Sequence, residues 1–268
     1  MIIDIHTHAF PDEIAQEAIA KLESGADEKA HGNGTVQALV DNMIRSDIDY
    51  SVICSIATKP KQVSKIIDWS VKIKQQYPSV IPFASIYPDK NYKESIDSIV
   101  SHNLIGVKFH PYYQNFTVDD KKFYPMYEYL QKNHLIVLFH AGHDIAFPKD
   151  DRVSPKRLAQ IQKDFPDLKL IAAHLGAWLL WDEVYEYMLD SSIFIDTAYI
   201  KGYITDEQMN KIFNNFSSKR ILLGSDFPWG NQETDVSLIE KLDLSIEDKE
   251  NIYYKNALKL FQSAGLKI

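Results

Sequence analysis

Short runs rich in Ile, Val, Leu and Phe alternate along the chain with longer amphipathic segments. Eight runs are bounded by polar or turn residues and predict β-strands, at 2–6, 50–55, 81–87, 105–110, 135–140, 169–174, 193–197 and 220–225. Apart from a first interval of 48 residues, successive runs begin 24 to 34 residues apart. A strand with its crossover helix needs about 30 residues, so the spacing predicts a series of βα units.

The intervening segments have the periodicity of helices with one apolar face. Thr35 is a predicted N-cap before a helix with an apolar stripe formed by Val36, Leu39, Val40, Met43 and Ile44. Ser154 is a second predicted cap, because Pro155 then occupies the first helical position. The extra length at 9–35 has several glycines, and we interpret it as a long loop over the mouth of the fold.

Near-continuous apolar strands that alternate with amphipathic helices indicate a parallel sheet covered on both faces. Eight repeats of the unit predict closure into a (β/α)8 TIM barrel, with residues 1–268 forming a single α/β domain. An open doubly wound sheet is the alternative. It normally has a glycine-rich phosphate turn after its first strand, where this chain has His6-Thr7-His8.

Composition and charge limit the possible partners. Hydrophobic residues make up 45% and charged residues 25%, as in ordinary globular proteins, and the net charge of -8 disfavours nucleic acid. A single cysteine and the lack of a signal peptide or of a long apolar run lead us to expect a cytoplasmic protein with no membrane span. We expect a small-molecule substrate and a homodimer.

Histidines are concentrated where the predicted strands end. Five of the nine lie there, namely His6, His8, His110, His140 and His174. In a parallel barrel these ends meet at one face, and an extended first strand would turn Asp4, His6 and His8 to the same side. Together with Asp226 after the last strand, these imidazoles form a nitrogen and oxygen donor set that suits zinc, and also manganese, iron or nickel. Each of these residues alone also has a structural explanation, such as a helix cap for Asp226.

The strand-end motifs resemble the amidohydrolase superfamily, in particular its amidohydrolase-related branch of metal-dependent hydrolases and non-oxidative decarboxylases. The resemblance spans nearly the whole chain and rests on DIHTH (4–8), FHAG (139–142), AHLG (173–176), GSDFP (224–228) and the closing NALKLF (256–261). It implies a distorted barrel with a metal ion held by His6, His8, His140 and Asp226. It also implies that His174 either binds a second ion or orients the substrate.

Lys108 lies in GVKFHP (106–111) at the end of the fourth strand, where many superfamily members carry a carbamylated lysine or a glutamate that bridges two metals. Strand alternation turns Lys108 and His110 to the same side, while Val107 and Phe109 face the helices. A buried ammonium needs a partner, neutralisation or carbamylation. We therefore leave open a second metal ligand at Lys108, with two ions, and a substrate-binding lysine beside one ion.

The favoured function is metal-dependent hydrolysis of a small amide, lactone or similar acyl bond. Asp226 is the predicted general base toward a metal-activated water, and His174 the group that stabilises the oxyanion. The residues predicted to contact substrate are His110, His143, Tyr112 and Trp229. Non-oxidative decarboxylation or hydration of a carboxylated substrate is the alternative. Phosphodiester hydrolysis and a non-catalytic binding or structural-zinc protein fit less well.

Overall fold

All eight predicted strands are present and run parallel in the computed structural model, which describes residues 1–26, 28–147 and 150–268. Their bounds are β1 (Ile3–Thr7), β2 (Tyr50–Cys54), β3 (Val80–Phe83), β4 (Gly106–Phe109), β5 (Ile136–Phe139), β6 (Lys169–Ala172), β7 (Phe194–Asp196) and β8 (Ile221–Leu222). Each strand pairs with the next, in the orders β1-β2-β3 and β4-β5-β6-β7-β8.

Two looser seams close these strands into a barrel. Between β3 and β4, Ala84 pairs with Val107 as an isolated parallel bridge. Between the last strand and the first, the Ile5 amide donates to the Leu223 carbonyl at 2.9 Å. The predicted (β/α)8 barrel is thus confirmed, and β8 meets β1 at the seam where Asp226 lies.

Helices follow most of the strands. Their bounds are α1 (Asp12–Ala26), α2 (Val36–Arg45), α3 (Val63–Gln76), α4 (Tyr92–Ser101), α5 (Tyr124–Lys132), α6 (Pro155–Asp164), α7 (Trp181–Tyr187), α8 (Asp206–Asn215), α9 (Gln232–Lys241), α10 (Ile246–Glu250) and α11 (Asn256–Ser263). Thr35 caps α2, since its hydroxyl accepts from the Ala38 amide at 3.1 Å. Ser154 occupies the N-cap position of α6, but its hydroxyl accepts no capping bond. No helix in the described ranges is long and apolar enough to cross a bilayer.

The interpretation of 9–35 as one long loop is wrong. Most of it forms α1, which buries Ala15 and Ile19 one turn apart. Asp12 and Glu13 in the first turn favour a helix start there, and these signals outweigh the glycines that follow. Of this segment, Asp27 lies outside the described residues.

Two sets of buried side chains lie on opposite sides of the strands. Leu138, Ile171 and Cys54 belong to an inner cluster against which α11 packs, while Val107 and Phe109 belong to a larger outer cluster with the helices. Because alternate residues of a strand face opposite sides, Lys108 faces the inside of the barrel. The predicted orientation of the β4 residues is confirmed, and it places their polar side chains at the barrel mouth.

Candidate metal centre

Three ligand-type side chains meet at the seam between β1 and β8. The ligand atoms of His6, His8 and Asp226 all lie within 4.8 Å of one another. Asp226 Oδ1 is 3.3 Å from His6 Nε2 and 3.0 Å from His8 Nε2. Asp226 is held there because its backbone amide donates to the His6 carbonyl at 2.8 Å. The structure thus brings together three of the residues predicted as metal ligands.

The outer nitrogens of both imidazoles are fixed by hydrogen-bond acceptors. His6 Nδ1 is 3.0 Å from Asp196 Oδ2, and His8 Nδ1 is 2.8 Å from the Cys54 carbonyl oxygen. Ionised carboxylate and carbonyl oxygens only accept, so in each neutral ring Nδ1 carries the proton and Nε2 a lone pair. The His8 lone pair therefore faces the carboxylate of Asp226, and the His6 lone pair faces both that carboxylate and the Lys108 amine. A cation among these atoms removes their repulsion, and the donor set fits a divalent metal.

The charge state of these groups supports a ligand role. Burial lowers the pKa of His6 well below 6.5, and the nearby Lys108 cation lowers it further, so the imidazole is neutral. Burial opposes ionisation of Asp226, but His6 and His8 outweigh it and hold the pKa of Asp226 well below its usual range. Neutral imidazoles and an ionised carboxylate are the forms that bind metals.

Asp196 on β7 is a functional residue that the sequence reasoning missed. Its Oδ2 accepts from His6, while its Oδ1 accepts from the backbone amides of His174 at 2.9 Å and Ala198 at 3.1 Å. A carboxylate behind a metal-binding histidine fixes the tautomer and the orientation of the ring. Its position could have identified it, because Asp196 lies at the end of a predicted strand, as the candidate histidines do.

Asp4 does not share the orientation of His6, contrary to the prediction. Its Oδ2 accepts from Gln232 Nε2 on α9 at 2.8 Å, while His6 faces Lys108 inside the barrel. The pairing of β1 with β2 shifts register between Asp4 and Thr7, so the strand is not extended as the alternation argument requires. Burial raises the pKa of Asp4 to about 7, against the hydrogen bonds that it accepts.

Lys108 lies within the centre. It is 1% exposed, and its Nζ is 2.8 Å from His6 Nε2. Burial lowers the pKa of Lys108, and the neighbouring Cys54, Asp196 and Asp226 offset part of this effect. His6 is therefore the partner that a buried Lys108 amine was expected to need. Carbamylation of Lys108 and a bridging role between two ions stay predictions.

His174 and His140 extend the centre toward β4. The His174 ring lies 5.3 Å from the His6 ring, and its Nε2 is 3.1 Å from His140 Nδ1. His140 does not join the group formed by His6, His8 and Asp226; its ligand atom groups with those of His110 and Asp144. Ligation of the first ion by His140 therefore stays a prediction.

Of the four residues predicted to contact substrate, His110 and Tyr112 contact the His140 ring. His110 stacks on His140 with ring centroids 4.2 Å apart, and Tyr112 is buried with its hydroxyl donating to the Gly142 carbonyl at 2.6 Å. His143 is half-buried on the loop after β5, and Trp229 is half-buried three residues after Asp226. Since the Tyr112 hydroxyl already donates to a backbone carbonyl of the loop after β5, we expect Tyr112 to shape the pocket. The substrate contacts of all four residues stay predictions.

The backbone is left-handed at two site residues. The φ angles of His174 and Asp226 are both 62°, in a region that residues other than glycine rarely occupy. Such a conformation costs on the order of 1 kcal/mol, and it is tolerated where the surrounding structure fixes the chain. Here it lets the chain turn sharply at the strand ends and direct both side chains into the mouth.

Comparison with known proteins gives the family. The model of the amidohydrolase family matches residues 3–262. The chain belongs to the amidohydrolase family. A search of the curated proteins found no match.

Solved structures share the fold of this family member. An uncharacterised TIM-barrel protein from Bordetella bronchiseptica is 17% identical with a TM-score of 0.80, over 99% of both chains. The 5-carboxyvanillate decarboxylase LigW from Sphingomonas paucimobilis is 12% identical with a TM-score of 0.75, over 97% of this chain and 98% of that one. A dihydroxybenzoic acid decarboxylase from Polaromonas with bound manganese is 13% identical with a TM-score of 0.70, over 97% and 96%.

Proposed function

We propose that this amidohydrolase-family protein is a divalent-metal-dependent non-oxidative decarboxylase of a small carboxylated molecule. The observation that carries the proposal is the convergence of His6, His8 and Asp226 beside the buried amine of Lys108. Two metal-ligating imidazoles, a carboxylate and a buried cation suit a substrate that carries an anionic group. Two of the structurally similar proteins named above are decarboxylases, which supports this choice.

The proposed roles follow from the geometry. The ion would be held by His6, His8 and Asp226. When bound, it would act as a Lewis acid toward the substrate carboxylate and a neighbouring oxygen. Lys108 donates hydrogen bonds to the anionic oxygens. The bond between the carboxylate and the substrate carbon breaks, carbon dioxide leaves, and the electron pair stays on that carbon. His174 gives the carbon a proton and recovers one from solvent.

Hydrolysis of a small acyl bond is the second candidate, favoured by the description of the family as amidohydrolases. Asp226 would then take a proton from water and return it to the leaving group, while His174 stabilises the oxyanion. The decarboxylases among the structurally similar proteins support the first candidate over this one.

The metal and the oligomeric state belong to the same proposal. The nitrogen and oxygen donors suit zinc, predicted from the sequence, and equally manganese, which a similar decarboxylase contains. Metal analysis of the purified protein decides between them. The cytoplasmic location and the homodimer stay predictions, and light scattering tests the latter.

The test compares two kinds of substrate with metal-loaded protein. We expect carbon dioxide release from a panel of hydroxylated aromatic carboxylates, and one deuterium at the vacated carbon when the reaction runs in D2O. Asp226→Asn and His8→Gln abolish release, whereas replacement of the exposed His102 by Gln leaves it unchanged. Acid release from amides or lactones without carbon dioxide would establish the second candidate, and no reaction with either panel would contradict both.

A further inference from the structure

A buried carboxyl group with an unpartnered oxygen lies behind the loop that carries Asp226. Asp235 is on α9 and is 4% exposed. Its Oδ2 is buried and has no hydrogen-bond partner among the described residues. An ionised carboxylate in such a place is strongly destabilised, because its hydration is lost without compensation. No step of the proposed reaction uses Asp235, so its burial needs another explanation.

A backbone carbonyl lies beside this oxygen. A Cβ added to Gly230 would lie 3.5 Å from Asp235 Oδ2 and would overlap the Ser225 carbonyl oxygen. Both oxygens therefore lie on the same side of Gly230, which has no side chain to separate them. The Ser225 carbonyl oxygen accepts from no backbone amide among the residues that the structure describes. Two acceptor oxygens thus lie close together, and neither receives a proton from the backbone.

The carboxylate of Asp4 has the donors that Asp235 lacks. Asp4 accepts from the Ser225 amide at 3.0 Å, from the Ser225 hydroxyl at 2.5 Å and from Gln232 Nε2 at 2.8 Å. Gln232 precedes Asp235 by three residues, so both side chains lie on one face of α9, and both are buried. The helix therefore gives the amide side of Ser225 a satisfied carboxylate, and the carbonyl side a carboxyl group that needs a proton.

The charges around Asp235 favour its neutral form. Burial raises the pKa of Asp235 well above its usual value, and the nearby Asp4 on β1 raises it further. Lys201, exposed on the loop after β7, offsets part of this effect, and Asp226 after β8 adds to it. A protonated carboxyl group has one O–H donor, which an ionised carboxylate lacks. Protonation therefore supplies the hydrogen bond that the two facing oxygens lack.

We propose that Asp235 is a positioning residue: its uncharged carboxyl group donates a hydrogen bond to the Ser225 carbonyl oxygen and fixes the turn that carries Asp226. The turn runs from Ser225 to Gly230, and the Trp229 amide closes it by donating to the Asp226 carbonyl at 2.8 Å. The Ser225 carbonyl belongs to the same peptide unit as the Asp226 nitrogen. A bond to that carbonyl therefore restricts the left-handed backbone that directs the Asp226 side chain to the metal centre. The inference rests on the proposed function only in taking Asp226 as a metal ligand.

Infrared spectroscopy tests the proton without any metal. The C=O stretch of a protonated carboxyl group is separate from the bands of backbone amides and ionised carboxylates, and it shifts in D2O. We expect such a band in the wild-type protein at neutral pH and its loss in Asp235→Asn. Glu233→Gln, which changes an exposed carboxylate on the same helix, is the matched control and should keep the band. A carboxyl region that Asp235→Asn does not change would overturn the proposal.

Two substitutions separate a hydrogen-bond donor from a side chain that only fills space. Asn has an N–H donor in place of the O–H, whereas Leu has a similar size and branching but no donor. We expect Asp235→Leu to raise the dissociation constant of Mn²⁺ at least about 10-fold, as changes behind a metal ligand do. Asp235→Asn should keep the wild-type affinity. Wild-type affinity in a folded Asp235→Leu protein, or equal losses in both variants, would contradict the role of an uncharged donor.

Crystal structures of the variants separate this proposal from the metal centre itself. We expect the turn at 225–230 to keep its place in Asp235→Asn and to be displaced in Asp235→Leu, and an unmoved turn in Asp235→Leu would overturn the proposal. A wild type that binds no Mn²⁺ would contradict the candidate metal centre, while the turn and the infrared band would still decide the role of Asp235. If Asp235→Leu does not fold by circular dichroism, the infrared band and the affinity of Asp235→Asn decide.

Discussion

Replacing Asp196 by Asn tests how the candidate metal centre is organised. The carboxylate is fully buried and accepts three hydrogen bonds, one from His6 Nδ1 through Oδ2 and two from backbone amides through Oδ1. Asn has one acceptor oxygen in place of two. We expect that oxygen to stay on the two backbone amides, because leaving them unpaired costs about 1–3 kcal/mol each. The amide NH2 then faces His6.

The expected magnitude follows from this geometry. An NH2 beside His6 Nδ1 favours the tautomer with the proton on Nε2, where the lone pair for the metal is needed. Loss of a carboxylate behind a ligating histidine typically weakens metal binding about 10–100-fold. At about 1.4 kcal/mol per tenfold, this corresponds to roughly 1.4–2.8 kcal/mol of binding free energy.

Calorimetric titration with Mn²⁺ at neutral pH measures this change directly. Asp97→Asn is the matched control, since it alters an exposed carboxylate that accepts a hydrogen bond from Tyr129 and should leave the affinity unchanged. Circular dichroism shows whether the variant remains folded. Wild-type affinity in a folded Asp196→Asn protein would refute the tautomer argument on which the candidate metal centre rests.

Three further predictions concern the rest of the barrel. Gly142→Ala should lower the free energy of unfolding by at least about 2 kcal/mol more than Gly202→Ala. Both glycines have a φ of 86°, but only at Gly142 would an added Cβ overlap the backbone of Trp178. Equal melting temperatures of the two variants would contradict this prediction. Cys54 should not react with Ellman's reagent in the native protein and should react fully in urea, since burial raises the pKa of its thiol to about 12. The metal-free protein should lose stability as the pH falls through 6.5, because the histidines of the unfolded chain then bind protons, whereas the buried His6 and His110 stay neutral in the folded chain. In urea unfolding, the free energy of unfolding should fall by up to about 1.4 kcal/mol per pH unit for each histidine. His110→Gln should reduce that slope.

The fold was predictable because its signal is repeated. Eight apolar runs at regular intervals each needed a crossover helix, so errors at a single element did not change the architecture. The long-loop interpretation of 9–35 failed at α1 because the glycines at 25, 32 and 34 follow the helix or end it. One misread segment left the barrel intact, since the strands on either side kept their spacing.

The site was predictable only as far as strand ends converge. Which side chains would share an ion depends on ring orientation and on the irregular register of β1, and neither is encoded in the spacing of residues. Alternation therefore placed Lys108 and His110 correctly in the regular strand β4, but misplaced Asp4 in β1. The orientation of the His140 ring could not be predicted either, because it depends on contacts with His174, which is distant in the sequence, and with the backbone carbonyl of His143.

Asp196 contacts both His6 and His174, and its replacement by Asn distinguishes the two contacts. Its Oδ2 contacts the His6 ring directly, whereas its Oδ1 reaches His174 only through the backbone amide, which an Asn oxygen still accepts. The His174 ring is oriented instead by the Ala198 carbonyl oxygen, which lies 2.9 Å from its Nδ1. Asp196→Asn should therefore weaken metal binding at His6 and leave the His174 ring in place. Displacement of both rings would mean that the variant disturbs the backbone after β6 and β7, where Asp196 accepts from the amides of His174 and Ala198.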